Sequence, residues 1–154
     1  MESKPVDINK VVEDAVISAR AAGPDHPVTL HSSHDEIFTL GDEVRIHQVV
    51  ANLLANARTH TPAGTPISVS VTSTDLGIEI SVADKGPGLS LVDQKRIFER
   101  FYRADASRVR TGSDGSGLGL SIVDAVMRAH GGSVSVQSTP GEGAIFTLLF
   151  PART

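Results

Sequence analysis

Asp84-Lys85-Gly86-Pro87-Gly88, answered further along by Gly115-Ser116-Gly117-Leu118-Gly119-Leu120, is the pair of segments around which the rest of the chain arranges itself. A single carboxylate beside bare backbone suits the grip of a purine. A glycine run that opens a helix suits the grip of phosphates, because free N–H groups and the helix dipole both favour an anion there. No G-x-x-x-x-G-K-[ST] string occurs, so a nucleotide site in this chain is not of the Walker type. Each segment also has a plainer reading. Asp and Gly are the ordinary residues of a tight turn after a strand. Gly115-Ser116-Gly117-Leu118-Gly119 superficially matches a dinucleotide fingerprint, but that turn needs a buried strand just upstream. Arg108-Val109-Arg110-Thr111-Gly112-Ser113-Asp114 is no such strand, which leaves an anion site.

Upstream of Asp84, Ile78, Ile80 and Val82 alternate with polar residues, as do Ile67, Val69 and Val71, with Asp75-Leu76-Gly77 between them; this predicts a β-hairpin with one buried face. Before the hairpin, Asp42 starts a helix in which Ile46, Val49, Val50, Leu53 and Ala57 share one face, and Pro62-Ala63-Gly64 stops it. Earlier still, Asp7 caps a helix with Ile8, Val11, Val12, Ala15, Val16 and Ala19 at helical spacing, ended by Gly23-Pro24. Residues 28–30 and 37–40 read as two short strands around a polar turn at 31–36. Downstream, residues 89–103 read as a loop followed by a short helix at 97–101, and residues 104–115 as a mobile loop. A third amphipathic helix is expected from about 116 to 130 with Gly131 as its stop, and then a closing hairpin of strands 134–137 and 144–150 around Pro140-Gly141. The fold class is therefore α+β: a two-layer sandwich, helices on one side and an antiparallel or mixed sheet on the other, as one domain over 1–154 with no repeat or linker.

Composition narrows the function. A chain of 154 residues can bury a core without metal or disulfide, and the absence of cysteine removes thiol catalysis and cysteine metal sites. Fourteen basic against eighteen acidic residues leave a net charge of −4, which offers nucleic acid no general attraction. The apolar runs are too short to cross a bilayer, and the polar first ten residues with Pro5 do not form a signal peptide.

Gln48, Asn52, Asn56 and His60 recur at i, i+4 spacing and form a polar stripe on the shoulder of the second helix's apolar face. Either they face a cleft, or the amides bond to neighbouring carbonyls and water. The order of all these pieces resembles the ATP-binding catalytic domain of bacterial sensor histidine kinases. Asn52-Leu53-Leu54-Ala55-Asn56-Ala57 is similar to that family's N box and Asp84-Lys85-Gly86-Pro87-Gly88 to its first glycine box. Ile97-Phe98-Glu99-Arg100-Phe101-Tyr102-Arg103 is similar to its F box, the run from Gly115 to Leu120 to its second glycine box, and the ending through Phe150-Pro151 to its closing hairpin. The wording Asn-Ala-Arg-Thr-His-Thr-Pro is similar to actinobacterial members.

The resemblance implies the Bergerat ATP-binding fold, with a mixed, mostly antiparallel sheet on three helices, and ATP and Mg²⁺ as cofactors. It implies that Asp84 accepts the adenine amine beside Gly86 and Gly88, that Asn56 coordinates Mg²⁺ and that Asn52 lines the phosphate path. Arg103 would reach the γ-phosphate, Gly115, Gly117, Leu118, Gly119 and Leu120 would cradle the phosphates, and residues 104–113 would be the lid. Phe98 and Phe101, apart from the resemblance, read as hydrophobics three apart on a short helix that anchor it to the core.

Three positions depart from the family's pattern. Thr59 and His60 stand where a basic residue and tyrosine are common, so that Arg58 is the nearest replacement charge and His60 either touches the nucleotide or is a half-exposed structural residue. Lys85 replaces the usual asparagine and either adds charge or projects into solvent. The resemblance implies a phosphoacceptor histidine on a separate helical hairpin that is not expected within this sequence, and His34 in Ser33-His34-Asp35-Glu36 reads as a turn residue, not its substitute. The expected picture is an excised monomeric piece, in the cytosol, of a membrane-anchored kinase, with that dimerisation hairpin and a response regulator as partners. The alternative is a nucleotide-binding regulatory module without transferase activity.

Overall fold

The computed structural model describes residues 3–32, 35–102 and 119–152. In chain order these form β1 (Lys4–Asp7), α1 (Ile8–Ala22), β2 (Val28–His31), β3 (Phe38–Gly41), α2 (Glu43–Thr59), β4 (Ile67–Thr74), β5 (Gly77–Asp84), α3 (Leu91–Arg96), α4 (Gly119–Ala129), β6 (Ser133–Ser138) and β7 (Ala144–Pro151). The main sheet runs β2-β4-β5-β7-β6; β2 lies parallel to β4 and every other pairing is antiparallel. Helices α1, α2 and α4 pack together as the second layer, and the small α3 sits by β6. Among the described residues no helix is long and apolar enough to cross a membrane.

Caps set the helix starts. The side chain of Asp7 accepts from Lys10 N and that of Asp42 from Arg45 N, each satisfying an N–H that the first turn leaves without a carbonyl. From α2, Ile46, Val49, Val50, Leu53, Leu54 and Ala57 are buried. They meet the sheet face built from Ile67, Val69 and Val71 of β4, Ile78, Ile80 and Val82 of β5, and Phe146, Leu148 and Phe150 of β7, all in the core. Each such side chain contributes roughly 1.5–3 kcal/mol by leaving water. The register of the central pair, with Val69 opposite Val82 and Val71 opposite Ile80, is fixed by this row, since a one-residue slip would turn every apolar side chain to the open face.

The structure adds to the expected picture in three places. The strands near 28–30 and 37–40 exist but do not pair with each other: β2 joins the main sheet through β4, whereas β3 forms a separate ribbon with β1. That first strand was not legible, because in Lys-Pro-Val-Asp only Val6 is buried. The short helix lies at Leu91–Arg96 rather than 97–101. Ser90 caps it by accepting from Asp93 N, and Ile97 already serves as its C-cap. Of the third expected helix, Gly119–Ala129 is described; Ser116, the proposed lid and His34 lie outside the described residues.

Candidate functional site

The period of two along β5 puts Asp84 on the same side as Ile78, Ile80 and Val82, so the core-facing row ends in a carboxylate. The apolar face of α2 ends alongside, with Asn56 and His60 on its shoulder. Between them lies a cavity of about 40 Å³ lined by Asn56, His60, Asp84, Pro87, Gly88, Leu89, Ile97, Ala144 and Phe146. One wall is polar and convergent and the others are apolar, the usual make-up of a small-molecule site. Its size suits the edge of a ring, not a whole nucleotide.

Gly86 N donates to Asp84 Oδ1 at 2.9 Å. Burial raises the Asp84 carboxyl above its ordinary value, while the backbone N–H groups of Gly86 and Ala144 and the nearby His60 pull it partly back. A carboxylate held part-way into the core is a strong acceptor with capacity left for another donor, since its two oxygens offer about four lone-pair positions. Asn52 Nδ2 donates to Gly119 O at 3.4 Å, which ties the stripe to the first turn of α4. Leu120 is buried in the core, so its side chain packs the helix down rather than lining the cavity. Arg103, Gly115, Gly117 and Leu118 lie outside the described residues.

The floor of the cavity is fastened by residues that carry no local signal in the sequence. Leu89 N donates to Ser138 Oγ at 2.7 Å, and that hydroxyl donates to Gly143 O at 2.6 Å. Gln94 Nε2 reaches both Leu89 O and Ser138 O at 2.9 Å, and Gly141 N donates to Pro87 O at 2.7 Å. The glycine segment is thereby sewn to the closing hairpin. Gly88 is required by this approach: its φ is 74°, and a Cβ there would lie 2.6 Å from Thr139 O. No local pattern reports such long-range partners.

Other expectations divide. Phe98 packs edge-on against Phe146, ring centroids 6.0 Å apart, as an anchor should. Phe101 does not: it is 61 % exposed, with a φ of 66° that is unusual for a bulky residue. Arg58 lies over the end of α1, where a Cβ added to Gly23 would come 2.2 Å from its Cδ, so it does not replace the missing phosphate contact. Lys85 is exposed.

A groove of about 640 Å³ on the other face of the sheet, lined by Thr29, His31, Lys85, Gln137, Glu142 and Ile145 among others, is much larger. Size favours the groove and chemistry favours the smaller cavity. Asp84 edges this groove too, but its other walls are strand and turn residues such as Pro66, Ser68, Ala83 and Thr139, and neither Asn56 nor His60 reaches it. Among the described residues the smaller cavity alone brings the carboxylate, the helical amide and apolar walls together, and it is the candidate site.

Residues 41–154 match the family model described as histidine kinase-, DNA gyrase B- and HSP90-like ATPase. The chain is 44 % identical over 141 residues to the probable sensor histidine kinase TcrY of Mycobacterium tuberculosis, covering 92 % of this chain and 30 % of that protein. Among solved structures it is similar to the mycobacterial sensor histidine kinase MprB, with a TM-score of 0.86, 29 % identity and coverage of 97 % and 99 % of the two chains. It is also similar to the ATP-binding domain of PrrB from Mycobacterium tuberculosis, with a TM-score of 0.79, 28 % identity and full coverage of both. The chain spans about a third of the length of the curated relatives it matches.

Proposed function

The chain belongs to the histidine kinase-, DNA gyrase B- and HSP90-like ATPase family, as a catalytic domain of the sensor histidine kinase kind, and from that premise we propose that it binds Mg·ATP and passes the γ-phosphoryl group to a histidine on a helical hairpin of its parent protein. The observation that carries this reading is the carboxylate of Asp84 at the end of a buried row, aimed into a cavity it shares with Asn56 and His60. A carboxylate accepts from an exocyclic amine and repels a carbonyl, so it selects adenine over a 6-oxo purine. Leu89, Ile97 and Phe146 supply apolar walls for the edge of the base.

Asn56 fits Mg²⁺ only in company. Among the described residues no group of three or more His, Cys, Asp or Glu forms a metal cage. Mg²⁺ commonly takes one or two protein oxygens and completes its shell with phosphates and water, which a single amide oxygen suits. Asn56 would hold the ion, which neutralises phosphate charge when bound. The rest of the catalysis is positioning: Asp84 fixes the base, Asn52 joins the helix carrying the stripe to the helix that opens after the second glycine run, and the phosphoryl group is presented outward for in-line attack. Arg103 and the glycines Gly115, Gly117 and Gly119 belong to this reading as γ-phosphate and phosphate-chain contacts. The hairpin and a downstream response regulator are the partners, the parent being membrane-anchored with this domain on the cytoplasmic side.

Mixing this domain with the parent's hairpin and γ-labelled ATP tests the proposal. Label on a hairpin histidine is the expected result. ATP binding without label would favour the regulatory module instead, and no ATP binding would contradict both.

A further inference from the structure

Thr61 follows the C-cap of α2 and belongs to neither the polar stripe nor the glycine segment, yet it stands directly behind both. It is 4 % exposed. Its hydroxyl donates to Ala57 O at 2.7 Å. With that proton committed, Thr61 Oγ1 can only accept from His26 Nε2 at 3.0 Å, and the same nitrogen lies 3.2 Å from the Thr61 carbonyl, so the Nε2–H tautomer of His26 donates to both. His26 is itself buried, in the loop between α1 and β2. A β-branched side chain whose hydroxyl is held on two sides keeps one rotamer, and its methyl is fixed with it. That methyl faces Gly86, where an added Cβ would lie 2.4 Å from Thr61 Cγ2 and 3.1 Å from Asp84 Oδ1. Gly86 in turn gives its N–H to that same Asp84 oxygen.

We propose that Thr61, pinned by His26, is a positioning residue for base selectivity: its methyl buttresses the Gly86 backbone whose N–H aims the Asp84 carboxylate at the six-position amine of an adenine nucleotide. The inference rests on the adenine-reading role of Asp84. The hydroxyl and the methyl have separate jobs. The hydroxyl closes the end of α2 onto the loop carrying His26 and so contributes to stability, while the methyl fills the space behind the glycine turn and contributes to recognition. Without the methyl the turn can settle backwards, the carboxylate pivots, and the advantage of a nucleotide bearing the six-amine shrinks.

Two near-isosteric variants of the whole domain separate these jobs. Thr61→Ser keeps both hydrogen bonds and loses the methyl, whereas Thr61→Val keeps the branched shape and loses the bonds. For each, dissociation constants are measured for ATP and for purine riboside 5′-triphosphate, which lacks only the amine, together with Tm. In Thr61→Ser the preference for ATP should fall about three- to tenfold with Tm close to that of the unsubstituted protein. In Thr61→Val Tm should fall while most of the preference remains. An undiminished preference in Thr61→Ser overturns the proposal and leaves the role of Asp84 standing, and so does a loss that follows Tm in both variants. An unsubstituted domain that binds the two nucleotides equally contradicts the adenine-reading role itself and removes this proposal with it.

Discussion

The polar side chain that caps α2 and those that line the cavity at its other end are used in opposite ways. At its N-terminal end, Asp42 accepts from Arg45 N, and its own N–H donates to His130 Nε2 at 3.0 Å. His130 must then carry its proton on Nδ1, which donates to Val126 O at 2.8 Å, and its ring lies edge-on to Phe150. Every partner is another part of the fold. At the C-terminal end, Asn56 and His60 converge with Asp84 on a cavity, and the burial that raises the carboxyl has no full internal compensation. The first arrangement spends its polar groups on closing α2 against α4. The second holds them ready for a ligand, at some expense of stability.

The contrast breaks most visibly at Asn56. Asn56→Ala should lower phosphoryl transfer by about a hundredfold or more, as removal of a transition-state charge partner does, and ATP affinity should no longer rise on adding Mg²⁺. A normal Mg²⁺ response by calorimetric titration would show the amide has no metal role. Next, Asp84→Asn should weaken ATP binding by about 1.5–3 kcal/mol, roughly ten- to more than a hundredfold, yet raise the Tm of the nucleotide-free domain at neutral pH. Loss of both affinity and stability would place Asp84 with the closed network instead. At the other end, His130→Ala should cost about 2 kcal/mol, lowering Tm by roughly 4–8 °C, because it orphans the Asp42 N–H and leaves a void beside Phe150. Adenine selectivity should not change, and a change would join the two ends functionally.

The smallest effect is in pH. A carboxyl raised above 3.8 in the folded state takes up its proton there before the unfolded chain does, so its unfavourable contribution is full at neutral pH and fades as pH falls through the folded value toward 3.8. The Tm advantage of Asp84→Asn should therefore shrink on acidification. An advantage that is constant with pH would mean it does not come from the charge.

The same division explains what was readable beforehand. The helices α1 and α2, the β4–β5 hairpin and the closing hairpin announce themselves through caps and apolar period, and so do Asp84 at the end of an alternating strand and Asn52, Asn56 and His60 along a helix. These are properties of neighbours in sequence. The ribbon of β1 with β3 buries only Val6 and Gly41, and α3 exposes Leu91 and Val92, so periodicity misplaces the helix and the Ser90 cap is the sound local sign. Ser138, Gln94, His26 and Thr61 act through hydrogen bonds to residues far along the chain, for which a linear pattern holds no signal.

Titrating ¹⁵N-labelled domain with Mg·ATP tests the choice of site most directly. The largest chemical-shift changes should fall on Asn56, Gly86, Leu89 and Phe146, around the small cavity between α2 and β5. Changes centred on His31, Gln137 and Ile145, along the open face of the sheet, would contradict it.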